Sequence, residues 1–255
     1  MDKNSTSKRV IAHSAHHQIG SEASSQYSFT PIGVIRSCFR EKFGIPRQSG
    51  LAPAARAILE LLPPYEQPTI VRGLEAFSHV WLVFVFHGVP TGHWRPTVRP
   101  PRLGGNRRLG VFATRSTFRP NPIGLSAVRL EGVHIAQRRV TLHLAGVDLL
   151  DGTPVLDIKP YLPYADCLSE ASGGFAAEAP SKLAVEFSPM ATAFCAAQPR
   201  AELRTLIVET LSQDPRPAYH DAETMPRCYG MRLYEHEVCW EMRDGVAYVI
   251  EIRSS

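Results

Sequence analysis

Hydrophobic and polar positions divide the chain into short strand-like runs followed by a smaller mixed region. Residues 31–38 alternate β-branched and polar side chains in the manner of a strand. Residues 77–86 are a continuous apolar run, short enough for a strand buried on both faces, and it stops at His87-Gly88. Further strands are predicted at 109–114, 125–135, 140–147 and 154–158; in the third of these Val140, Leu142 and Leu144 alternate against Thr141, His143 and Ala145. Residues 53–62 read instead as a short helix, with Pro53 near its first turn, an alanine-rich body and Pro63-Pro64 as the stop. Six or so short strands with one helix predict a β-rich barrel or sandwich.

The pattern changes after Asp166. Residues 168–180 are rich in Ser, Gly and Ala and read as a junction. A short strand is predicted at 185–187 and a helix at 201–212, where Leu203, Leu206, Ile207 and Leu211 follow a 3.6-residue period. Two alternating runs, 232–242 and 246–252, flank Asp244-Gly245 and predict a hairpin. The expected organisation is a mobile, polar tail over 1–27, a β-rich unit over 28–167 and a small α+β unit over 181–255. His13, His16 and His17 in the tail have no acidic or cysteine ligand beside them, so a solvated tail is expected rather than a metal site.

The 255 residues are 44% hydrophobic and 20% charged, with 21 prolines against 18 glycines, which excludes a coiled coil. No apolar run approaches the roughly 20 residues that span a bilayer, so no membrane helix is expected. Five cysteines at 38, 167, 195, 228 and 239 form no CxxC pair; neither a disulfide framework nor a zinc site is expected, and a reducing, cytoplasmic setting fits. The net charge of +4 is unevenly spread. Residues 76–130 hold eight arginines and no Asp, Glu or Lys, and are therefore +8, leaving −4 for the rest of the chain. Such a block points to an anionic partner, most simply nucleic acid.

Four segments concentrate chemistry. The loop 44–48 (GIPRQ) presents Arg47 and Gln48 from a proline-stiffened turn. His87-Gly88 places a polar group and a closely approachable backbone at a sheet rim. Residues 98–126 (VRPPRLGGNRRLGVFATRSTFRPNPIGLS) carry prolines and glycines that a solvated surface does not require, with Arg115 and Arg119 bracketing a loop. Asp148 and Asp151 bracket two leucines beside a glycine, a pattern suited to ribose hydroxyls or an ammonium group, or to an ordinary solvated turn. The glycine fingerprints of Rossmann and P-loop sites, HExxH and GxSxG are all absent.

These segments resemble the TsaA-like family, the TrmO-type methyltransferases that act on tRNA. The resemblance rests on GIPRQ at 44–48, RGLEAFSHVWLVFVFH at 72–87, RPPRLGGN at 99–106, ATRSTFRPNPIGLS at 113–126, DLLDGTPVLDIKPYLPYAD at 148–166 and DPRPAY at 214–219. It implies a small β-barrel, not a Rossmann fold, that binds S-adenosylmethionine without a metal and works as a homodimer. The implied reaction is methylation of the exocyclic nitrogen of N(6)-threonylcarbamoyladenosine next to the anticodon of tRNA. The cofactor site would comprise Pro46, Arg47, Gln48, His87, Gly88, Arg115, Leu125, Asp148, Leu149, Leu150 and Asp151. The catalytic base is left among Tyr219, Asp214 and His87. Arg95, Arg99, Arg107, Arg108, Arg119 and Arg216 are the expected contacts to tRNA, with Arg115 and Arg119 nearest the reacting centre. Rival readings are a cofactor-binding regulator without turnover, a methyltransferase for another RNA or a small molecule, and a plain RNA-binding barrel.

Overall fold

The computed structural model describes residues 27–90, 92–137, 139–217 and 227–254. The tail expected over 1–27 therefore lies outside the described residues except for Tyr27. Six antiparallel strands close into a barrel in the order β1-β2-β7-β6-β3-β8. They are β1 (Gly33–Ser37), β2 (Arg56–Leu61), β3 (His79–Val85), β6 (Ile123–Ala136), β7 (Arg139–Ala145) and β8 (Pro154–Pro160). Two-residue strands β4 (Thr97–Val98) and β5 (Leu109–Gly110) pair within the long β3–β6 connection. A second sheet has the order β10-β11-β12-β9, built from β9 (Ala184–Phe187), β10 (Cys228–Leu233), β11 (His236–Arg243) and β12 (Val246–Ser254). Among the described residues three α-helices complete the fold: α1 (Pro163–Asp166), α2 (Pro189–Ala197) and α3 (Leu203–Leu211).

Period-two alternation fills the barrel. Ile35, Leu59, Val80, Leu82, Val128, Leu142, Leu144 and Val155 point inward and are buried. Gly124 on β6 lies directly opposite Phe84 on β3. A Cβ there would stand 2.3 Å from the Phe84 ring, so the large ring fits only because its cross-strand partner has no side chain. The core continues without a break from the barrel into the second sheet, through Phe39, Met231, Leu233 and Trp240. Phe39 forms isolated bridges to both Leu150 and Leu233, which joins the two sheets through one residue.

Several expectations are corrected. Residues 53–62 are not a helix: Arg56–Leu61 form β2, registered against β1 on one side and β7 on the other. Ala57, Leu59 and Leu61 are buried and Ile58 and Glu60 less so, so pairing on both edges overrides the helix preference of an alanine-rich stretch. Strand β3 is buried on one face only; Val80, Leu82 and Phe84 face the core, while Trp81, Val83 and Val85 are half-buried on the outside. The predicted strand at 109–114 stops after Gly110 and becomes a 3-10 turn over Val111–Ala113. The run 232–242 is two strands, since the chain reverses at Tyr234-Glu235, with Tyr234 at φ +54. Helix α2, absent from the sequence reading, is started by Ser188, whose hydroxyl accepts from the Ala191 N–H at 3.0 Å, with Pro189 in the first turn.

Candidate functional site

The exits of β1, β3 and β7 lie at one end of the barrel, and the three connections that leave them meet there. The loop after β1 is pinned on two sides. Arg40 donates to Asp151 Oδ2 at 2.5 Å, and the Lys42 ammonium donates to the carbonyl of Gly88. The second sheet holds the same loop from behind. The backbone N–H of Arg232 donates to Glu41 Oε1 at 3.0 Å, Phe43 stacks on Tyr229 at 6.4 Å, and Gly44, at φ +88, lies against Met231. A side chain at Gly44 would collide with Met231 in a backbone conformation that already favours glycine.

The loop then delivers Gln48, whose Oε1 accepts from the guanidinium of Arg115. This single contact joins the loop after β1 to the arginine-rich connection 67 residues away. The turn after β3 enters from the other side: a Cβ on Gly88 would stand 3.5 Å from Leu150 Cδ2, and His87 Nε2 lies 3.9 Å from the corresponding position on Gly152. Nothing among the described residues hydrogen-bonds the exposed His87 imidazole; its backbone N–H closes a tight turn to Val85 O at 2.8 Å.

Asp148 has the most unusual environment of the site. Its Oδ1 is fully buried and has no hydrogen-bond partner among the described residues. Burial raises its pKa above the ordinary aspartate range, and Ser126, the backbone at Ser49 and the Arg115 charge pull it only part of the way back. Asp151, three residues on, is the opposite case. Its Oδ1 accepts from the Ser37 backbone N–H at 2.9 Å and its Oδ2 from Arg40, while its own N–H donates to Phe39 O. It fastens the β7–β8 turn to β1.

The structure thus gathers Gln48, His87, Gly88, Arg115, Asp148, Leu150 and Asp151, with Arg47 exposed beside Gln48 and Pro46 buried beneath the loop. Two residues of the expected cofactor set stand apart. Leu149 is 1% exposed and belongs to the core. Leu125 is 55% exposed on the outer face of β6, opposite in pleat to Ser126 and paired with Val83. Asp214 and Arg216 form a two-point ion pair with each other, both bonds 2.8 Å, and the neighbouring Gln213 reaches Leu51 O at 3.5 Å. Tyr219 lies outside the described residues. The pinning residues Ser37, Phe39, Arg40 and Lys42 escaped the sequence reading; two cations at 40 and 42, just ahead of GIPRQ, were the available signal.

The arginines separate by environment. Arg119 is folded back on its own loop, donating to Thr114 O at 2.7 Å and Val111 O at 3.3 Å. Arg102 donates to Glu178 O, and Arg108 to Thr97 Oγ1 at 3.4 Å. Arg95 lies over the Phe118 ring at 4.8 Å. Arg99 and Arg107 are exposed and make no hydrogen bond or ion pair among the described residues. A groove of about 520 Å³ on the outer barrel face shares no residue with the site and mixes Arg56 and Arg129 with Glu131, Glu202 and Glu209. Among the described residues no group of three or more His, Cys, Asp or Glu is placed to hold a metal ion, and no helix is long and apolar enough to cross a membrane.

Known proteins match most of the length of this chain. Residues 34–167 match the tRNA-methyltransferase O N-terminal domain, and residues 180–255 match the TrmO C-terminal domain. A tRNA (adenine(37)-N6)-methyltransferase of Escherichia coli K12 is 52% identical over 87% of this chain and 95% of its own length. A Pseudomonas aeruginosa protein, whose name describes an S-adenosylmethionine-dependent methyltransferase, is 56% identical over 84% of this chain and 92% of its own. The crystal structure of TrmO from Pseudomonas aeruginosa superposes with a TM-score of 0.74 at 46% identity, covering 90% of this chain and 99% of that one. With one family model matched over the barrel and another over the second sheet, the chain belongs to the tRNA-methyltransferase O family.

Proposed function

We propose that this chain transfers a methyl group from S-adenosylmethionine to the N6 nitrogen of adenosine 37 in tRNA, and that the acceptor carries a threonylcarbamoyl group. The observation that carries the reading is the buried Oδ1 of Asp148, unpartnered among the described residues, where the three connections converge. A buried acceptor without a partner is costly to a fold unless a ligand supplies the missing donor. The residues present fit the cofactor. Asp148 would take its ammonium or a ribose hydroxyl, Gln48 and Arg115 offer amide and guanidinium groups to polar edges, and Leu150 offers an apolar wall.

When bound, S-adenosylmethionine supplies a methyl group made electrophilic by a sulfonium. The chain's own part is placement: the tethers from Arg40 and Lys42 and the Gln48–Arg115 contact hold the loops rigidly around one point. Positioning of this kind is worth roughly 7–11 kcal/mol of a barrier. The urea-like acceptor nitrogen carries a proton, and a base that removes it contributes about 10²–10⁴-fold. His87, exposed at the barrel mouth, serves best among the described candidates, because the carboxylate of Asp214 is already held by Arg216. An arginine fork suits the threonyl carboxylate, and Arg99 and Arg107 suit tRNA phosphates.

We further place the protein in the cytoplasm, in keeping with five free cysteines. We also assign it a homodimeric state. The closed barrel has no edges to protect, so the support is the apolar outer face of β3 and β6, where Leu125 and Ile123 are exposed. Light scattering at micromolar concentration checks this, and a monomer mass removes it. The test of the activity uses methyl-labelled S-adenosylmethionine with tRNA carrying or lacking the threonylcarbamoyl group. Label is expected only in the carrying tRNA; equal label in both removes the threonylcarbamoyl requirement from the reading, and none in either removes the reading altogether.

A further inference from the structure

The connection between β3 and β6 exposes two large aromatic side chains that no packing explains. Phe112 is 77% exposed and Trp94 53%. Single exposed apolar residues are common, but these two belong to one small platform. The Arg95 N–H donates to Phe118 O at 3.1 Å, and the Val111 N–H donates to Pro96 O at 3.0 Å, so the segment carrying Trp94 runs between those carrying Phe118 and Phe112. Guanidinium groups lie over two of the rings, Arg95 over Phe118 at 4.8 Å and Arg119 over Phe112 at 5.7 Å. The platform also reaches the site, because Arg115, three residues beyond Phe112, bonds Gln48. All of this lies within the stretch 76–130 that has eight arginines and no acidic residue.

We infer that Trp94 and Phe112 form a stacking platform for unpaired bases of the anticodon loop beside the target adenosine. The inference rests on the tRNA reading above. Phosphates satisfy the surrounding arginines, but charge alone attracts duplex and single strand alike. Exposed aromatic faces interleaved with arginine are what unpaired bases require, since every unstacked base offers a π-face and a duplex offers one only at its ends. A base to be methylated must leave the loop's own stack, and neighbours held on Phe112 and Trp94 compensate for the contacts it gives up.

The test measures binding of two RNAs, an anticodon stem-loop and a fully paired duplex of the same stem. Phe112→Ala and Trp94→Ala are each expected to raise the stem-loop Kd between about 5- and 100-fold, the usual range for one stacked base. Duplex binding and S-adenosylmethionine affinity stay unchanged. Phe112→Leu, which keeps apolar bulk without a ring, behaves like Phe112→Ala, and Phe112→Tyr like wild type; this pair decides the matter even where an alanine disturbs the loop. Tryptophan fluorescence gives a second readout: Trp240 is fully buried and Trp81 half-buried, so quenching by the stem-loop should vanish in Trp94→Phe. Unchanged stem-loop affinity in the alanine variants overturns the inference and leaves the tRNA reading standing. Equal loss on both RNAs also overturns it. A lowered oligomeric mass with RNA affinity retained would show that the rings cover a second copy of the chain instead. Wild-type protein that binds neither RNA removes both readings.

Discussion

Burial holds the carboxyl of Asp148 protonated to a higher pH than an ordinary aspartate, and its unpartnered Oδ1 makes the charged form costly in the unliganded protein. The sign follows from linkage. A group whose folded pKa is raised supports the fold fully below its unfolded value, about pH 4, and that support is lost as pH rises to the raised value. Asp148→Asn should therefore be at least as stable as wild type in melts at about pH 8, while wild type regains ground toward about pH 4. The same substitution should weaken S-adenosylmethionine binding by about 10- to 100-fold, the worth of one charge-assisted hydrogen bond, as calorimetry would record. Binding by wild type should strengthen with rising pH through the Asp148 titration, and the variant should be flat there. At this scale the sequence was partly legible. Resemblance to the TsaA-like family put Gln48, Arg115 and Asp148 into one expected site. It could not separate Asp148 from Asp151, because the partners that occupy Asp151, Ser37 and Arg40, lie 114 and 111 residues away.

Among the elements, β6 depends on the fit between Gly124 and Phe84. Gly124→Ala forces a Cβ to within 2.3 Å of a buried ring that has little room to move. The expected loss is about 1–3 kcal/mol, as for other overpacked cores. Denaturant titration measures it, and Phe84→Leu added to Gly124→Ala should recover part of the loss. Alternation in β1 and β7 and short apolar runs in β3, β6 and β8 made these strands readable, because both signals are local properties of the chain. Strand β2 was not readable: the alanine-rich stretch that contains it favours a helix, and only the pairing of both its edges in a closed barrel makes it a strand. The two leucines after Asp148 met the same limit, since one turn sends Leu149 into the core and leaves Leu150 beside Gly88.

Across the whole molecule, one hydrophobic core carries both sheets, and one arginine-rich stretch, residues 76–130, carries the positive charge. The arginines of that stretch divide into two kinds of work. Arg99→Ala and Arg107→Ala should each flatten the log–log salt dependence of tRNA binding by about 0.7–0.9. Arg119→Ala should leave the slope unchanged and loosen the loop instead, because its guanidinium is committed to Val111 and Thr114 carbonyls. Filter binding between about 50 and 200 mM salt distinguishes them. Composition revealed the basic block but not this division, which depends on which guanidinium groups the folded chain has already engaged.

The central claim is that the barrel mouth around Asp148 and Arg115 performs methyl transfer to an adenosine of tRNA. Mass spectrometry of nucleosides from tRNA incubated with S-adenosylmethionine and either wild type or Asp148→Asn tests it most directly. The expected result is a threonylcarbamoyladenosine heavier by one methyl group with wild type, and far less of it with the variant at the same limiting cofactor concentration. Equal product from the two proteins would place the reaction away from the barrel mouth, and a nucleoside pool left unchanged by wild type would contradict the account.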